Sequence, residues 1–90
     1  MKNYHVDIRK KARKAIRKLD KVIRDRVMDF IENKLEGCEN PRFDGRNLVD
    51  FPNANWRYRV GDYRILADIQ DDKIIILVVD VNKRNDVYKK

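Results

Sequence analysis

Ninety residues weighing 10.9 kDa make one small domain, 1–90, with too little chain for a second core. The longest apolar run is six residues, 74–79, well short of a membrane span, and no apolar leader follows the charged amino terminus; the expected setting is soluble and cytoplasmic, with no membrane partner. A lone Cys38 excludes an internal disulfide and fits a reducing compartment, while 22 basic against 15 acidic side chains leave a net charge of +7 that points toward a polyanion.

Tyr4, Val6 and Ile8 alternate with His5 and Asp7, which predicts a short half-buried strand. From Lys10 the apolar period turns helical, through Ala12, Ile16 and Leu19, then Ile23, Val27, Phe30, Ile31 and Leu35. Asp20 reads as an N-cap between helices over 10–19 and 21–36, and Gly37 as the stop. One continuous helix would give a similar stripe. It would be ~40 Å long at ~1.5 Å per residue, more than a domain this small can bury, so a helical hairpin is expected.

The other side of these helices is basic. Lys10, Arg13, Lys14, Arg17, Lys18, Lys21 and Arg24 follow at helical spacing, and residues 1–26 hold eleven basic side chains against three acidic. A solvated face is the usual fate of such charges. The near absence of acidic neighbours makes this stripe a candidate surface for a polyanion.

Residues 36–55 contain Gly37, Pro41, Gly45 and Pro52 with four asparagines, and form an irregular connection anchored by Phe43, Leu48 and Phe51. Three strands should follow. Trp56 to Val60 alternates, Gly61-Asp62 turns, Tyr63 to Ile69 forms a second strand, and Lys73 to Val81 reads as a buried central one. The fold class is α+β: a short strand, a two-helix hairpin, then three antiparallel strands with the helices on one sheet face.

With Trp56, Tyr58 and Val60 facing the helices, Arg57 and Arg59 project from the opposite face, where Arg64 and Arg84 can join them. Guanidinium groups suit phosphate oxygens. The competing reading pairs them with Asp62, Asp68, Asp80 and Asp86. Serine and threonine are absent, one Cys and one His cannot build a zinc site, and the glycines lack phosphate-loop spacing. What remains is phosphate chemistry by arginine and tyrosine, with no cofactor.

Residues 56–65, Trp-Arg-Tyr-Arg-Val-Gly-Asp-Tyr-Arg-Ile, with the Ile74–Val81 strand and the Lys83-Arg84-Asn85-Asp86-Val87-Tyr88 ending, resemble the RelE toxins of the RelE/ParE superfamily. Tyr4, Ala12, Lys18-Leu19 and Leu48 fit as well, and the likeness covers nearly the whole chain. The resemblance implies a toxin of a type II toxin–antitoxin pair that cleaves messenger RNA in the ribosomal A site without metal, through attack of the substrate 2′-hydroxyl on the adjacent phosphate. By the same resemblance Arg57 and Arg59 bind and polarise the RNA, and Arg64 stabilises the scissile phosphate. Arg84 helps the leaving oxygen, and Tyr88 stacks on or deprotonates the substrate. It also implies an acidic RelB-like antitoxin and ribosomal RNA as partners.

The sequence departs from the family pattern at a few places. Arginines stand at 57 and 59 where some members have lysines; a guanidinium is a poor base, which moves that role toward Tyr88. Ala67 replaces a common tyrosine and Asn82 a common glycine. Two further readings fit the same superfamily, a ParE-like inhibitor of DNA gyrase and a non-catalytic RNA-binding member.

Overall fold

In the computed structural model, which describes residues 3–49 and 51–83, the alternation at the amino end becomes strand β1, His5–Ile8. Val6 and Ile8 turn inward while His5 and Asp7 stay exposed. Helix α1, Lys10–Arg17, buries Ala12 and Ile16. Helix α2, Lys21–Phe30, follows a break at 18–20, so the hairpin is present. Asp20 holds the N-cap position with extended backbone, but its carbonyl rather than its carboxylate is engaged, accepting the Arg24 N–H at 2.7 Å.

The second helix ends differently from the plain helix expected through residue 36. After Phe30 it widens into a π-wound turn, Ile31–Leu35, in which the Glu36 N–H reaches the Ile31 carbonyl at 2.9 Å. The turn leaves Ile31 and Leu35 buried in line with Val27. Gly37 then stops it at φ +81°, where a left-handed residue ends a helix at least cost.

Three antiparallel strands do form: β3 Trp56–Val60, β4 Tyr63–Gln70 and β5 Ile75–Lys83. The sheet nevertheless has five strands, in the order β1-β5-β4-β3-β2. A two-residue strand, β2 Arg46–Asn47, is added at the β3 edge, and β1 lies parallel to β5. Two residues carry no period, so β2 leaves no pattern in the sequence. The parallel pair follows from the helical crossover, which returns the chain so that Val6 and Ile8 lie beside Ile76 and Val78 on the interior face. The last strand begins at Ile75 rather than Lys73, because Ile74 (φ +57°) belongs to the turn.

A bulge in β5 decides which of its residues meet the arginines. Leu66 pairs with Asp80 and Ala67 with Val78, so Val79 is extra. Strict alternation from Val78 would aim Asp80 at the helices. The extra residue instead gives Val81 to the core and leaves Asp80 and Asn82 on the other face. The core itself joins Ala12, Ile16, Val27, Ile31 and Leu35 of the helical layer to Tyr58, Ile65, Ala67, Val78 and Val81 of the sheet.

The free edge of β1 is closed by the segment after α2. Tyr4 exchanges hydrogen bonds with Gly37 and Cys38, and the Val6 N–H donates to Glu36 Oε1 at 2.8 Å. His5 Nδ1 lies 3.0 Å from the other Glu36 oxygen. The Val6 hydrogen bond first, and His5 second, hold the Glu36 carboxyl below its usual value. A depressed carboxylate stabilises the fold above its unfolded pKa, and that contribution is lost as pH falls through the folded value. Glu36→Gln is therefore expected to melt slightly below wild type at pH 7, with the gap closing under acid. Thermal melts from pH 7 to pH 3 check this; a gap that persists at pH 3 contradicts it.

Candidate functional site

Alternation in β3 sends Trp56, Tyr58 and Val60 toward the helical layer and Arg57 and Arg59 to the opposite face. Strand register then sorts that face into two ranks. Arg46, Arg57, Leu66 and Asp80 lie side by side across four strands, and Arg59, Arg64 and Asn82 across three. Cα atoms directly opposite in such ladders are ~4.5–5.5 Å apart. Positions two apart on one strand are ~7 Å apart. The ranks border a cleft of about 410 Å³ whose lining includes Asp44, Gly45, Arg46, Arg57, Arg59 and Arg64.

The expected open arginine surface is thus a graded hollow. Arg59 is exposed, Arg57 half-buried, and Arg64 only 2% exposed. A charge withdrawn from water acts on an incoming anion through a lower effective dielectric, so Arg64 is the strongest electrostatic element of the floor. The expected acid–arginine ladder is absent at two of its positions. Asp68 accepts from Asn55 and Gln70, and Asp80 lies 3.6 Å from Lys11 and accepts the Val81 N–H. Among the described residues, none accepts a hydrogen bond from the side chains of Arg46, Arg57 or Arg59.

One wall of the cleft is Asp44, Gly45 and Arg46, and the segment 41–47 that carries them is firmly tied. The buried Tyr58 hydroxyl donates to the Pro41 carbonyl, and burial pushes its pKa well above the ordinary value. Arg42 donates twice to Asp71, at 3.1 and 3.0 Å, and lies over the Trp56 ring. The Tyr4 hydroxyl also donates to Asp71, at 2.7 Å, and this bond raises the phenol pKa. The Trp56 indole N–H donates to the Asp44 carbonyl at 2.8 Å, and the Asp44 carboxylate accepts the Gly45 N–H. Gly45 has φ +94°, and a Cβ there would collide with the Arg57 carbonyl oxygen. The loop can lie this close to β3 only with glycine at that point.

The basic helical stripe lies in the other layer. Lys10, Arg13, Lys14, Arg17, Lys18 and Lys21 are exposed and Arg24 is half-buried. Two make local contacts, Lys21 with Asp25 at 2.9 Å and Arg13 with the Ile8 carbonyl at 3.3 Å. Arg57, Arg59 and Arg64 come together as the alternation requires, whereas Arg84 and Tyr88 lie outside the described residues. Cys38 is no candidate nucleophile, since burial raises its thiol pKa. Of the expected loop anchors, Phe43 touches Phe30 and Tyr58 yet stays 45% exposed, Leu48 is half-buried, and Phe51 is 37% exposed. Sequence reasoning missed Arg42, Gly45 and Arg46. The Asp44-Gly45 dipeptide marks a turn, and it was the available signal.

The chain matches the family model for the ParE toxin of type II toxin–antitoxin system, parDE, over residues 6–88. It is 28% identical over 90 residues to the mRNA interferase toxin RelE of Escherichia coli, a match spanning 97% of this chain and 92% of that one. Its fold is similar to a chain of the toxin–antitoxin complex RelBE2 from Mycobacterium tuberculosis, with a TM-score of 0.80, 27% identity, and coverage of 93% and 94% of the two chains. A chain of the archaeal RelE–RelB complex from Pyrococcus horikoshii gives a TM-score of 0.66 at 26% identity, covering 91% of this chain and 96% of that one. With a family model matched over nearly the whole chain and RelE relatives similar in sequence and fold, the chain belongs to the RelE/ParE superfamily of type II toxins as a RelE-type toxin.

Proposed function

We propose that this toxin is an endoribonuclease that cuts messenger RNA in the ribosomal A site. The observation that carries the reading is the direct opposition of Arg59 and Arg64 at the floor of the cleft. In the reaction a substrate 2′-hydroxyl attacks the adjacent phosphorus. The bond to the 5′-oxygen of the next nucleotide breaks, leaving a 2′,3′-cyclic phosphate and a 5′-hydroxyl. Negative charge gathers on the phosphorane, and fixed guanidinium donors stabilise it without reorganising.

Arg64 takes the phosphorane oxygens, while Arg57 and Arg59 grip the strand. On the family pattern Arg84 supports the leaving oxygen and Tyr88 serves as stacking partner or base. Charge stabilisation by the arginines, with the 2′-hydroxyl proton passing to Tyr88 where that residue acts as base, makes up the proposed catalysis, which includes no metal or cofactor. Support comes from the Escherichia coli relative named an mRNA interferase and from the solved relatives bound to RelB. An acidic, RelB-like antitoxin is accordingly the proposed protein partner.

The helical stripe from Lys10 to Arg24 is proposed to dock on ribosomal RNA, which places the toxin in the cytoplasm. Phosphate contacts position without reading sequence and weaken steeply with salt. Translating ribosomes incubated with wild type, Tyr88→Phe, and a Lys14→Glu/Arg17→Glu pair test both surfaces. Wild type is expected to break messenger at A-site codons, Tyr88→Phe to bind ribosomes but cut slowly, and the charge-reversed pair to lose ribosome binding. Folded wild type that leaves A-site codons intact would refute the reading.

The match to a ParE description favours one alternative, inhibition of DNA gyrase by the same fold. A supercoiling assay with purified gyrase separates the two, because only a gyrase poison traps cleaved DNA.

A further inference from the structure

Arg46 lies outside the family's arginine set described above, yet the fold brings it to the cleft. We infer that Arg46 and Arg57 together form a second phosphate subsite, one nucleotide away from the scissile phosphate held by Arg59 and Arg64. The inference deepens the proposed messenger cleavage and rests on that reading for the identity of the strand bound.

Three observations carry it. The first is placement. Arg46 pairs directly with Arg57 across β2 and β3, is exposed, and lines the same cleft as Arg59 and Arg64. The arginine ranks are therefore ~7 Å apart, two strand residues. Successive phosphates of one strand lie at a comparable through-space separation, because the backbone path is longer than its ~3.4 Å axial rise.

The second is electrostatic. Like charges directly opposite in a ladder repel, and a carboxylate beside them would ordinarily relieve the cost. Among the described residues, no acidic side chain is paired with Arg46 or Arg57. Of the neighbouring carboxylates, Asp44 lines the cleft but accepts the Gly45 N–H rather than pairing with either arginine, and Asp80 lies against Lys11. A phosphate between two guanidinium forks supplies the missing anion.

The third is the support behind Arg46. Trp56 fixes the Asp44 carbonyl, Gly45 closes onto the β3 backbone where a Cβ cannot fit, and Arg42 anchors the loop to Asp71. An exposed residue placed only to keep an edge strand from pairing needs none of this restraint. Residues held this way stay oriented for binding without losing further freedom.

The experiment measures binding apart from cleavage. Fluorescently labelled RNA trinucleotides, 2′-deoxy at the nucleophilic position so that they cannot be cut, carry two phosphodiesters or one with its neighbour replaced by an uncharged methylphosphonate on either side. Wild type at low salt is expected to bind the doubly charged RNA roughly five- to tenfold more tightly, with a salt slope steeper by ~0.7. In Arg46→Ala that ratio should fall to about one, and Arg46→Lys should recover part of it, on the charge-specific grounds given for guanidinium and ammonium donors. Matching thermal melts establish that all three proteins are folded.

An unchanged ratio in Arg46→Ala overturns the subsite, as does a wild type that ignores the second charge or fails to bind the RNA. Loss of the ratio in Arg46→Ala, combined with absent scission on ribosomes by wild type, sustains the subsite and refutes messenger cleavage instead.

Discussion

Arg64→Ala is expected to slow messenger scission by roughly 10²–10³-fold, the usual cost of removing one preorganised donor from a developing oxyanion. The position explains the size. Arg64 is almost wholly buried beneath the cleft, faces Arg59 on one side and Asn82 on the other, and so carries its charge at a lower effective dielectric than an exposed arginine. Arg59, in the same rank but exposed, should matter less, because solvent screens its charge. Single-turnover cleavage on programmed ribosomes measures both. Equal losses for Arg59→Ala and Arg64→Ala would show that burial does not set the hierarchy. Arg64→Lys should restore little, since an ammonium cannot reproduce the planar fork. Its melting temperature, compared with that of Arg64→Ala, separates lost chemistry from lost packing.

Tyr58→Ala is expected to be the most damaging core change, costing ~3–5 kcal/mol in urea denaturation, as for other buried aromatics. The side chain is fully buried, contacts Phe30 with ring centroids 5.5 Å apart and Phe43 at 6.3 Å, and closes the loop through Pro41. Tyr58→Phe isolates the hydroxyl. It leaves the Pro41 carbonyl without that donor and should cost ~1–3 kcal/mol. Because burial raises the phenol pKa above its ordinary 10.0, the protonated form is favoured in the fold. The sign is that of a raised acid: stability is intact below pH 10 and declines as pH rises toward the folded value. Tyr58→Phe should lack this alkaline component. An alkaline decline of equal size in both proteins would contradict the assignment.

Much of this architecture was legible because it rests on period. The two-residue alternation of β3 placed Arg57 and Arg59 on one face, and the helical stripe placed the core under Ala12, Ile16, Val27 and Leu35. What escaped has no period. The two-residue β2 and the extra Val79 depend on pairing with strands distant in sequence, and the π-wound turn after Phe30 adds one residue to a helical turn without breaking the apolar stripe. The extra residue at Val79 changes the site most, since it puts Asn82 rather than a core residue opposite Arg64. Arg46 was hidden for the same reason: nothing local distinguishes it from a solvated loop charge until β2 pairs with β3.

The parallel pairing of β1 with β5 also governs when the toxin can come into being. His5 meets Ile75, seventy residues further along, so the first strand made waits for nearly the last before the sheet can close. Contacts of such separation form slowly, since the loop entropy is lost before the pairing compensates for it. During synthesis the helical hairpin can form early and residues 36–38 can already hydrogen-bond one edge of β1, but β1 has no partner strand until β5 is available, and Val6 and Ile8 have no sheet to join. The ribosome that makes this chain has therefore added at least the first 83 residues before the five-stranded sheet beneath the arginine cleft can close in full. Slow, late closure gives an antitoxin a window in which to engage a toxin that has not yet become one.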